Sequence, residues 1–308
     1  MYLNCHSYHS LRYGTIPLKE LVQQAAMCNV KAMALTDIHT VTGIYDFIKE
    51  CEAVAIKPLI GIEFRNKNKL LYVGLAKNAV GLAEMNRFLT KHNFEGTPLP
   101  EQASNFEHVI VIYPLENAPP VLKDYEYIGI PPEKLPILFS QQWKIRMDKM
   151  VVFQPVTFRT KKEFNLHKIL RAIDTNIILS KLTEEDYCKT SEVMIPLEEL
   201  LDKFKEYPQI IGNTQKIIEA CNFEFDFKTP KNKKYYTNTK KDDIALLTNL
   251  SKQGLIWRYG KNNAAAMAQI EKELKVIDEL EFSGYFLITW DIIRYSNSQG
   301  FMHIGRGS

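Results

Sequence analysis

The first 80 residues alternate between short apolar runs and stretches with helical spacing. The predicted strands are Met1–Cys5, Lys31–Thr36, Lys57–Phe64 and Leu70–Ala76, and the predicted helices are Pro17–Cys28, Ile44–Ala55 and Ala79–Lys91. Proline at the start of Pro17–Cys28 suits a helix N-terminus, where its missing N–H is not needed. Alternating βα units with short connections predict a parallel sheet or barrel. The fold class expected from this pattern is α/β.

The pattern is less regular between residues 92 and 150, where the proline-rich stretch Pro114–Pro136 is predicted to form loops, and becomes purely helical near the end. The further predicted strands are Val109–Tyr113, Leu135–Phe139 and Met150–Gln154, and the further helices are His167–Asp174, Leu197–Phe204, Pro208–Cys221, Ile244–Arg258, Ala264–Leu280 and Gly284–Tyr295. The stretch 228–241 has turn chemistry and few core residues, so it is predicted to be a linker. It separates an α/β domain, 1–227, from a helical segment, 242–308.

Charge and composition narrow the class of protein. Hydrophobic residues make up 45% and charged residues 24% of the 308 positions, which is typical of a soluble globular protein. The net charge of +3 is too small to predict nucleic-acid binding by itself. The linker, however, holds six lysines and the pair Tyr235-Tyr236. A solvated loop is the favoured interpretation, and a patch that contacts a nucleic-acid backbone is the alternative.

Cysteine usage and hydropathy predict the compartment. The five cysteines are scattered and form no Cys-x-x-Cys pair, which argues against a disulfide framework or a structural zinc site and fits a reducing cytosol. No apolar run reaches the roughly 18 residues that a membrane span needs. The start, Met1-Tyr-Leu-Asn4, lacks a basic region followed by an apolar one. We therefore expect a cytoplasmic protein without a membrane partner.

Two places hold side chains suited to chemistry. His6, Asp37, His39 and Glu63 follow or end predicted strands, where the ligands of a barrel-top metal site would lie. The alternative is that these groups cap strand ends and satisfy buried backbone groups. At the other end of the chain, Gly305-Arg306-Gly307-Ser308 is a small-residue loop whose backbone N–H groups and arginine could cradle a phosphate.

The motifs, taken in order, resemble a known family. The segments that carry the resemblance are Leu3–Gly14, Ala34–Gly43, Lys57–Phe64, Leu75–Asn78, Asn213–Asn222, Glu273–Asp291 and Gly305–Ser308. They are similar to the polymerase and histidinol phosphatase (PHP) domain followed by the start of the palm in C-family polymerases, the alpha subunits of bacterial DNA polymerase III. The resemblance implies a distorted (β/α)7 barrel followed by helices that open the palm. It is weakest between residues 92 and 150.

Active PHP domains bind metal ions through His, Asp and Glu residues, and this chain retains few of those ligands. His6 and Glu63 match, but the other ligand positions hold Asn4, Tyr13, Ile38, Leu71 and Pro155-Val156-Thr157. A catalytic zinc site needs three protein ligands. The resemblance therefore implies a metal-free barrel, with His6 and Glu63 as remnant ligand positions and no phosphoesterase or proofreading activity.

The resemblance also implies a role for the longer protein. Gly305, Arg306, Gly307 and Ser308 would bind the triphosphate of an incoming nucleotide, and the catalytic aspartates that hold Mg²⁺ would lie beyond residue 308. The implied substrates are primer-template DNA and deoxynucleotides, and a sliding clamp and a proofreading exonuclease are further expected partners. The fragment alone is not expected to polymerise. The alternatives are a metal-dependent PHP phosphoesterase or 3′–5′ exonuclease, and a non-enzymatic docking module for polymerase subunits.

Isolated residues are assigned structural roles. His167 is predicted to pack its helix against the barrel, and His92 and His108 are predicted to be isolated surface residues. Trp257 and Trp290 are predicted to lie in helix cores.

Overall fold

The structure is a computed structural model that describes residues 1–229 and 231–305. The chain divides into two compact units, Met1–Phe225 and Asp226–Ser308. In the first unit strands alternate with helices, and in the second the described elements are helical. The α/β class predicted from the apolar pattern is confirmed.

Among the described residues of the first unit, eight strands form one sheet. They are β1 (Tyr2–Cys5), β2 (Ala32–Leu35), β3 (Lys57–Asn66), β4 (Lys69–Ala76), β5 (Val109–Pro114), β6 (Glu126–Ile130), β7 (Met150–Val152) and β8 (Pro155–Val156). The order across the sheet is β7-β6-β5-β4-β3-β2-β1-β8. The two edge strands, β7 and β8, are separated along the chain only by Phe153 and Gln154. The sheet must therefore curl so that its edges approach each other, as in a barrel.

The helices that follow these strands lie mostly where the spacing of apolar residues predicted them. They are α1 (Leu18–Met27), α2 (Ile44–Ala53), α3 (Ala79–Glu95), α4 (Gln141–Lys144), α5 (Lys161–Thr175), α6 (Leu197–Lys203), α7 (Pro208–Ala220), α8 (Lys240–Tyr259), α9 (Ala264–Glu279) and α10 (Ser283–Ser298). Short 3-10 helices cover Leu115–Asn117, Pro132–Phe139, Met147–Lys149 and Leu179–Lys181. None of the helices within the described ranges is long and apolar enough to cross a membrane.

The expectation of a wholly parallel sheet is wrong at β4. This strand pairs antiparallel with both of its neighbours, β3 and β5, whereas the remaining pairs are parallel. Only Lys67 and Asn68 separate β3 from β4, and Lys67 has a φ of 53°. A two-residue connection can form a hairpin but cannot cross over to a parallel neighbour. Since β4 alone is reversed, the other seven strands still end at the same edge.

Two predictions in the irregular stretch are wrong. Leu135–Phe139 was expected to be a strand but belongs to the 3-10 helix Pro132–Phe139. Pro136 has no N–H to donate to a sheet, so this apolar run cannot join a ladder in the middle of the sheet. A strand of this region lies earlier, at β6, within the proline-rich stretch Pro114–Pro136 that was predicted to form loops.

The sheet is buried on both faces. Tyr2, Met33 and Ile60 belong to one apolar cluster, and their strand neighbours Leu3, Ala34 and Leu59 belong to the other. Burial on both sides explains why β2, Ala-Met-Ala-Leu, is a continuous apolar run without alternation. The first cluster joins the sheet to α1 and α2, and the second joins it to α7.

The second unit consists of α8, α9 and α10 with the segment that precedes them. Asp243 on α8 is 1% exposed, and its carboxylate accepts hydrogen bonds from the backbone N–H groups of Tyr236 (2.8 Å) and Thr237 (2.6 Å). The prediction for Trp257 is wrong, because this side chain is 82% exposed. Trp290 is half-buried, and its ring meets that of Tyr236 edge to face at 6.5 Å. Asp243 and Trp290 thus hold the preceding segment against the helices.

Candidate functional site

The parallel strands bring the predicted ligand positions to one edge of the sheet. In the register of the sheet Cys5 lies beside Leu35, and Leu35 lies beside Ile60. The chain beyond these residues stays together, since Ile38 forms a further bridge with Glu63. Polar groups at the carboxyl ends of such strands are where barrel enzymes place their chemistry. The structure therefore brings the chain around His6, Asp37 and Glu63 together at this edge of the sheet.

Glu63 lies at the centre of a buried polar cluster. Its side chain is fully buried, and one carboxylate oxygen, Oε2, accepts hydrogen bonds from Asn4 Nδ2 at 2.8 Å and from His6 Nε2 at 3.0 Å. The other oxygen, Oε1, is bound by Arg65 Nε. Burial raises the pKa of Glu63, but the Arg65 guanidinium and His6 outweigh it, so that this pKa lies well below its usual range. Glu63 is therefore an ionised carboxylate with both oxygens occupied.

Arg65 is the residue of this site that sequence reasoning missed. Its guanidinium binds Glu63, donates to the Tyr13 hydroxyl at 2.9 Å and lies 4.3 Å from the centre of the Tyr13 ring. A signal was present, because residues two apart on a strand point to the same face. Glu63 and Arg65 are two apart on β3, and this spacing favours an arginine in the pocket of the remnant glutamate.

His6 links Glu63 to a second carboxylate. Its Nδ1 lies 3.0 Å from the hydroxyl of Thr157, and that hydroxyl donates to Glu192 Oε2 at 2.7 Å. The Thr157 hydroxyl therefore connects the His6 ring to Glu192. The cluster contains the permanent cation Arg65, the His6 ring and the carboxylates Glu63 and Glu192. These polar groups are hydrogen-bonded to one another within the protein.

Asp37 is occupied by a tight loop. It accepts hydrogen bonds from the Ser7 backbone N–H (2.7 Å), the Ser7 hydroxyl (2.7 Å) and the Ser10 hydroxyl (2.6 Å). Gly14 permits this loop, because a Cβ there would lie 1.8 Å from the Ser7 carbonyl oxygen. Burial raises the pKa of Asp37, and the serine hydrogen bonds partly offset that effect. Asp37 thus acts as a loop anchor, as the strand-capping alternative predicted.

The histidines near the site are also engaged. His39 has a φ of 53°, and its Nε2 accepts the backbone N–H of Arg65 at 2.8 Å. His167 is fully buried; its Nδ1 donates to the Tyr13 carbonyl at 2.7 Å and its Nε2 accepts the Cys188 N–H at 2.9 Å. Burial lowers the pKa of His167 to about 4, so the ring is neutral. The predicted packing role of His167 is confirmed.

Residues at the expected ligand positions pack against other side chains of the first unit. Leu71 is 1% exposed in the apolar core, and Ile38 packs against Tyr13 and Phe158. A metal ion at Glu63 would have to displace Asn4, His6 or the permanent cation Arg65 from the carboxylate. The donor set therefore does not fit the multinuclear metal centre of an active PHP domain.

A second group of possible ligands lies elsewhere on the first unit. Single ligand atoms of Glu84, Glu107 and His108 lie within 4.8 Å of one another, so His108 is not isolated as predicted. Glu84 Oε2 already accepts the backbone N–H groups of Glu107 (3.2 Å) and His108 (3.1 Å). Asn78 Nδ2 lies 3.3 Å from His108 Nδ1. These contacts account for the arrangement as a cap on the loop that precedes β5.

A cavity of about 260 Å³ opens at the same edge of the sheet as the Glu63 cluster. Tyr13 and Arg65 line it from the cluster side, and Leu70, Leu115 and Phe153 supply apolar walls. Its charged lining is predominantly acidic. The carboxylates are Glu116, Glu133, Glu184, Glu185, Asp186 and Glu192, against the cations Arg65 and Lys189. Without metal ions this lining repels a phosphate ester, so the cavity does not suit the substrate class of PHP hydrolases.

The predicted phosphate loop is only partly described by the structure. Gly305 is exposed and a Cβ at this position would meet no atom within 4 Å. Arg306, Gly307 and Ser308 lie outside the described residues. The assignment of this loop stays a prediction.

Comparison with protein families confirms the resemblance in both parts of the chain. Residues 3–114 match the PHP domain, and residues 245–308 match the bacterial DNA polymerase III alpha NTPase domain. The first match covers β1 to β5 with the Glu63 cluster, and the second covers most of α8, α9 and α10. The chain is therefore similar to a PHP domain in its first part and to the DNA polymerase III alpha NTPase domain in its last part.

Curated relatives match along the whole chain. An error-prone DNA polymerase of Symbiobacterium thermophilum is 24% identical over 100% of this chain and 33% of its own length. A DNA polymerase III subunit alpha of Bacillus subtilis is 26% identical over 100% of this chain and 31% of its own length. The chain thus spans about a third of the length of these relatives.

Among solved structures, a metal-dependent phosphoesterase of Bifidobacterium adolescentis shares 17% identity. The match has a TM-score of 0.26 and covers 30% of this chain and 32% of that one. So slight a likeness carries no argument about this site.

Proposed function

We propose that this chain, with its PHP domain and the beginning of an alpha-subunit region, is part of a DNA-directed DNA polymerase of the DNA polymerase III alpha type. The observation that carries the proposal is the order of the two family matches, supported by relatives that align over the full chain. The reaction of the longer protein is template-directed addition of deoxynucleotides to a primer 3′ end. Primer-template DNA and deoxynucleotides are then the substrates, and the cytoplasm is the site of action.

Within that reaction the tail is assigned to the incoming nucleotide. Gly305, Arg306, Gly307 and Ser308 would bind the triphosphate through backbone N–H groups and the Arg306 guanidinium. Mg²⁺ would be held by aspartates that follow residue 308 in the longer protein, since phosphoryl transfer by two metals needs such carboxylates. The 308-residue chain alone is therefore proposed not to polymerise.

A primer-extension assay on the longer protein tests this assignment. The wild type should extend a labelled primer with all four deoxynucleotides and Mg²⁺. Arg306→Ala should lower kcat/KM for the nucleotide by a factor of about ten to a hundred, because one charge-assisted contact to phosphate is lost. Lys261→Ala, an exposed cation, is the control and should retain full activity. Failure of the wild-type protein to extend any primer would overturn the proposal.

The PHP domain is proposed to act as a structural module rather than as a phosphoesterase or a 3′–5′ exonuclease. What supports this is Arg65, whose guanidinium binds the Glu63 carboxylate where a metal ion would otherwise be held. Within the described ranges both Glu63 oxygens already have protein partners, Oε2 with Asn4 and His6 and Oε1 with Arg65, so a metal would have to displace one of them. The module would support the palm and offer surfaces to a sliding clamp or a proofreading exonuclease subunit.

Metal content and hydrolysis test the structural role together. After dialysis against a chelator, the chain should hold less than one equivalent of Mn²⁺ or Zn²⁺ and should not hydrolyse a phosphodiester or a DNA 3′ end. Stoichiometric metal, with hydrolysis that disappears in His6→Ala, would establish the phosphoesterase alternative instead.

A further inference from the structure

The geometry points to the acidic cavity beside the Glu63 cluster as a docking site for a basic segment of a partner protein, with one arginine or lysine side chain inserted. The inference concerns the first unit alone and does not depend on polymerase activity. It rests on the cavity, on the state of the carboxylates around its mouth, and on the nature of its walls.

The carboxylates at the mouth are not neutralised by the protein. Glu116, Glu133, Glu184 and Glu185 are exposed, and within the described ranges none of the four forms an ion pair. They come from three separate segments of the chain that the fold brings around one opening. Like charges that are gathered without partners repel one another and create a field that attracts cations. Binding of positive charge would relieve this repulsion.

The inner carboxylates differ from those at the mouth. Asp186 Oδ2 accepts the Thr183 N–H at 2.8 Å, and Glu192 Oε1 accepts the Lys189 N–H at 3.1 Å. These bonds hold the loop 183–192 in place along one side of the cavity. The negative charge is therefore presented on a fixed surface, which limits the entropy lost on binding.

The walls and the volume suit a long basic side chain. Leu70, Leu115 and Phe153 can contact the methylene stem of an arginine or lysine, while the charged head remains near the carboxylates. A volume of about 260 Å³ is large enough for one such side chain and too small for a folded element. Buried anchors of this kind, and arginine in particular, dominate the affinity of many protein interfaces.

The distribution of charge favours a segment with several cations over a single ion. One inserted cation could not reach carboxylates on three segments of the rim, whereas neighbouring basic residues of an extended chain could. A divalent metal is disfavoured because, within the described part of the chain, no three of the cavity carboxylates bring ligand atoms within 4.8 Å of one another. The partner is accordingly identified as a protein segment with at least two or three basic residues.

Fluorescence anisotropy with the 308-residue chain tests the inference. The probe is a fluorescein-labelled hexapeptide in which arginine and glycine alternate, and the matched probe carries citrulline, a neutral isostere, in place of arginine. The arginine peptide should bind at low ionic strength and weaken as salt is added, because charges at an exposed mouth are screened. The citrulline peptide should bind at least about tenfold more weakly.

Two variants separate insertion into the cavity from general attraction. Glu184→Gln combined with Glu185→Gln should weaken the arginine peptide about tenfold. Ser191→Trp should weaken it similarly without a change of charge, because Ser191 is exposed and lines the cavity. The control pair Glu50→Gln with Glu52→Gln, on α2 and outside the cavity, should leave the affinity unchanged.

Three results would overturn the inference. The first is equal affinity for the arginine and citrulline peptides. The second is equal weakening by the cavity variants and by the α2 control pair, which would indicate non-specific attraction. The third is competitive displacement of the peptide by equimolar Mn²⁺, which would make the cavity a metal site.

Discussion

The two compact units differ in how completely they bury their own apolar side chains. In the first unit Tyr2, Phe47 and Tyr72 are fully buried between the sheet and its helices. In the second, the buried hydrophobic residues of the described part are Leu247, Leu255 and Leu287. A curled sheet covered on both faces supplies its own core, whereas three helices in succession leave broad apolar surface uncovered.

The exposed fractions of apolar side chains on α10 show how much of the second unit is uncovered. Tyr285 is 66% exposed, Ile292 65% and Tyr295 64%, and all three lie on α10. Exposed apolar area of this kind is typical of surfaces that contact other protein. The first unit instead concentrates its unusual features in polar groups, with a buried hydrogen-bonded cluster inside and carboxylates without ion pairs around the cavity.

The largest expected effect comes from removal of the internal cation of the first unit. Arg65→Ala leaves Glu63 buried without its permanent partner, and the free energy of unfolding should fall by about 3 to 5 kcal/mol. Urea denaturation, followed by hydrogen exchange in β3 and β4, measures the loss.

The control for Arg65→Ala is an exposed ion pair in the same unit. Arg12 and Asp174 form an ion pair at 3.4 Å with side chains 61% and 37% exposed, so Arg12→Ala should cost at most about 1 kcal/mol. Equal stability of Arg65→Ala and wild type would contradict the central role of Arg65.

The next effect is a pH dependence confined to the first unit. His167 has an ordinary pKa of 6.5 when unfolded and about 4 when folded, because burial disfavours its charged form. The unfolded state then binds the proton more readily, so the stability present above pH 6.5 is lost as the pH falls towards 4. A pKa difference of that size corresponds to about 3 kcal/mol in the free energy of unfolding.

The variant His167→Gln should have lower stability at pH 7 but a flatter dependence between pH 6.5 and 4. Thermal unfolding at half-unit pH steps would measure both slopes, and exchange in α8 should not follow them. If the slopes of variant and wild type coincide, the neutral buried state of His167 is wrong.

A smaller effect is expected at the polar anchor of the second unit. Asp243→Ala removes the acceptor for the Tyr236 and Thr237 N–H groups and should cost about 1 to 3 kcal/mol. Hydrogen exchange should accelerate in α8 and α10 while the sheet stays protected. Asp242→Ala removes an exposed neighbour and serves as the control. Equal acceleration in the sheet would show that the two units unfold together.

The smallest effect is expected on the apolar surface. Trp257→Ser replaces a side chain that is 82% exposed, so stability should change by less than about 0.5 kcal/mol. Leu255→Ser on the same helix, at 2% exposure, is the matched control and should destabilise the unit clearly. A large loss in Trp257→Ser would mean that Trp257 belongs to a core after all.

Local sequence patterns predicted the elements of the fold better than the pairing between them. Helical spacing located α1, α2 and α7 closely, since each has one buried face. The reversal of β4 was missed because strand direction depends on the two-residue connection rather than on the apolar run. At residues 135–139 the apolar pattern alone was misleading, because proline forbids the ladder that the pattern suggested.

The resemblance pointed to two residues that the structure brings together, but it did not predict the groups that surround them. Resemblance identified His6 and Glu63 as remnants, and the structure places them 3.0 Å apart. The resemblance did not indicate Arg65, because the set of missing metal ligands does not show which protein group takes the place of the metal ion. The cavity could not be predicted either, since its carboxylates come from segments that are distant in sequence.

The pairing of β1 with β8 has a consequence for synthesis of the protein. Asn4 pairs with Pro155, so the first strand has no neighbour on that side until the later residue has left the ribosome. At ordinary rates of translation this delay is on the order of 10 s. During that time β1 can pair with β2 alone, and its other edge stays open to wrong partners. Newly made chains should therefore be most open to strand mispairing at β1 until β8 emerges and closes that edge.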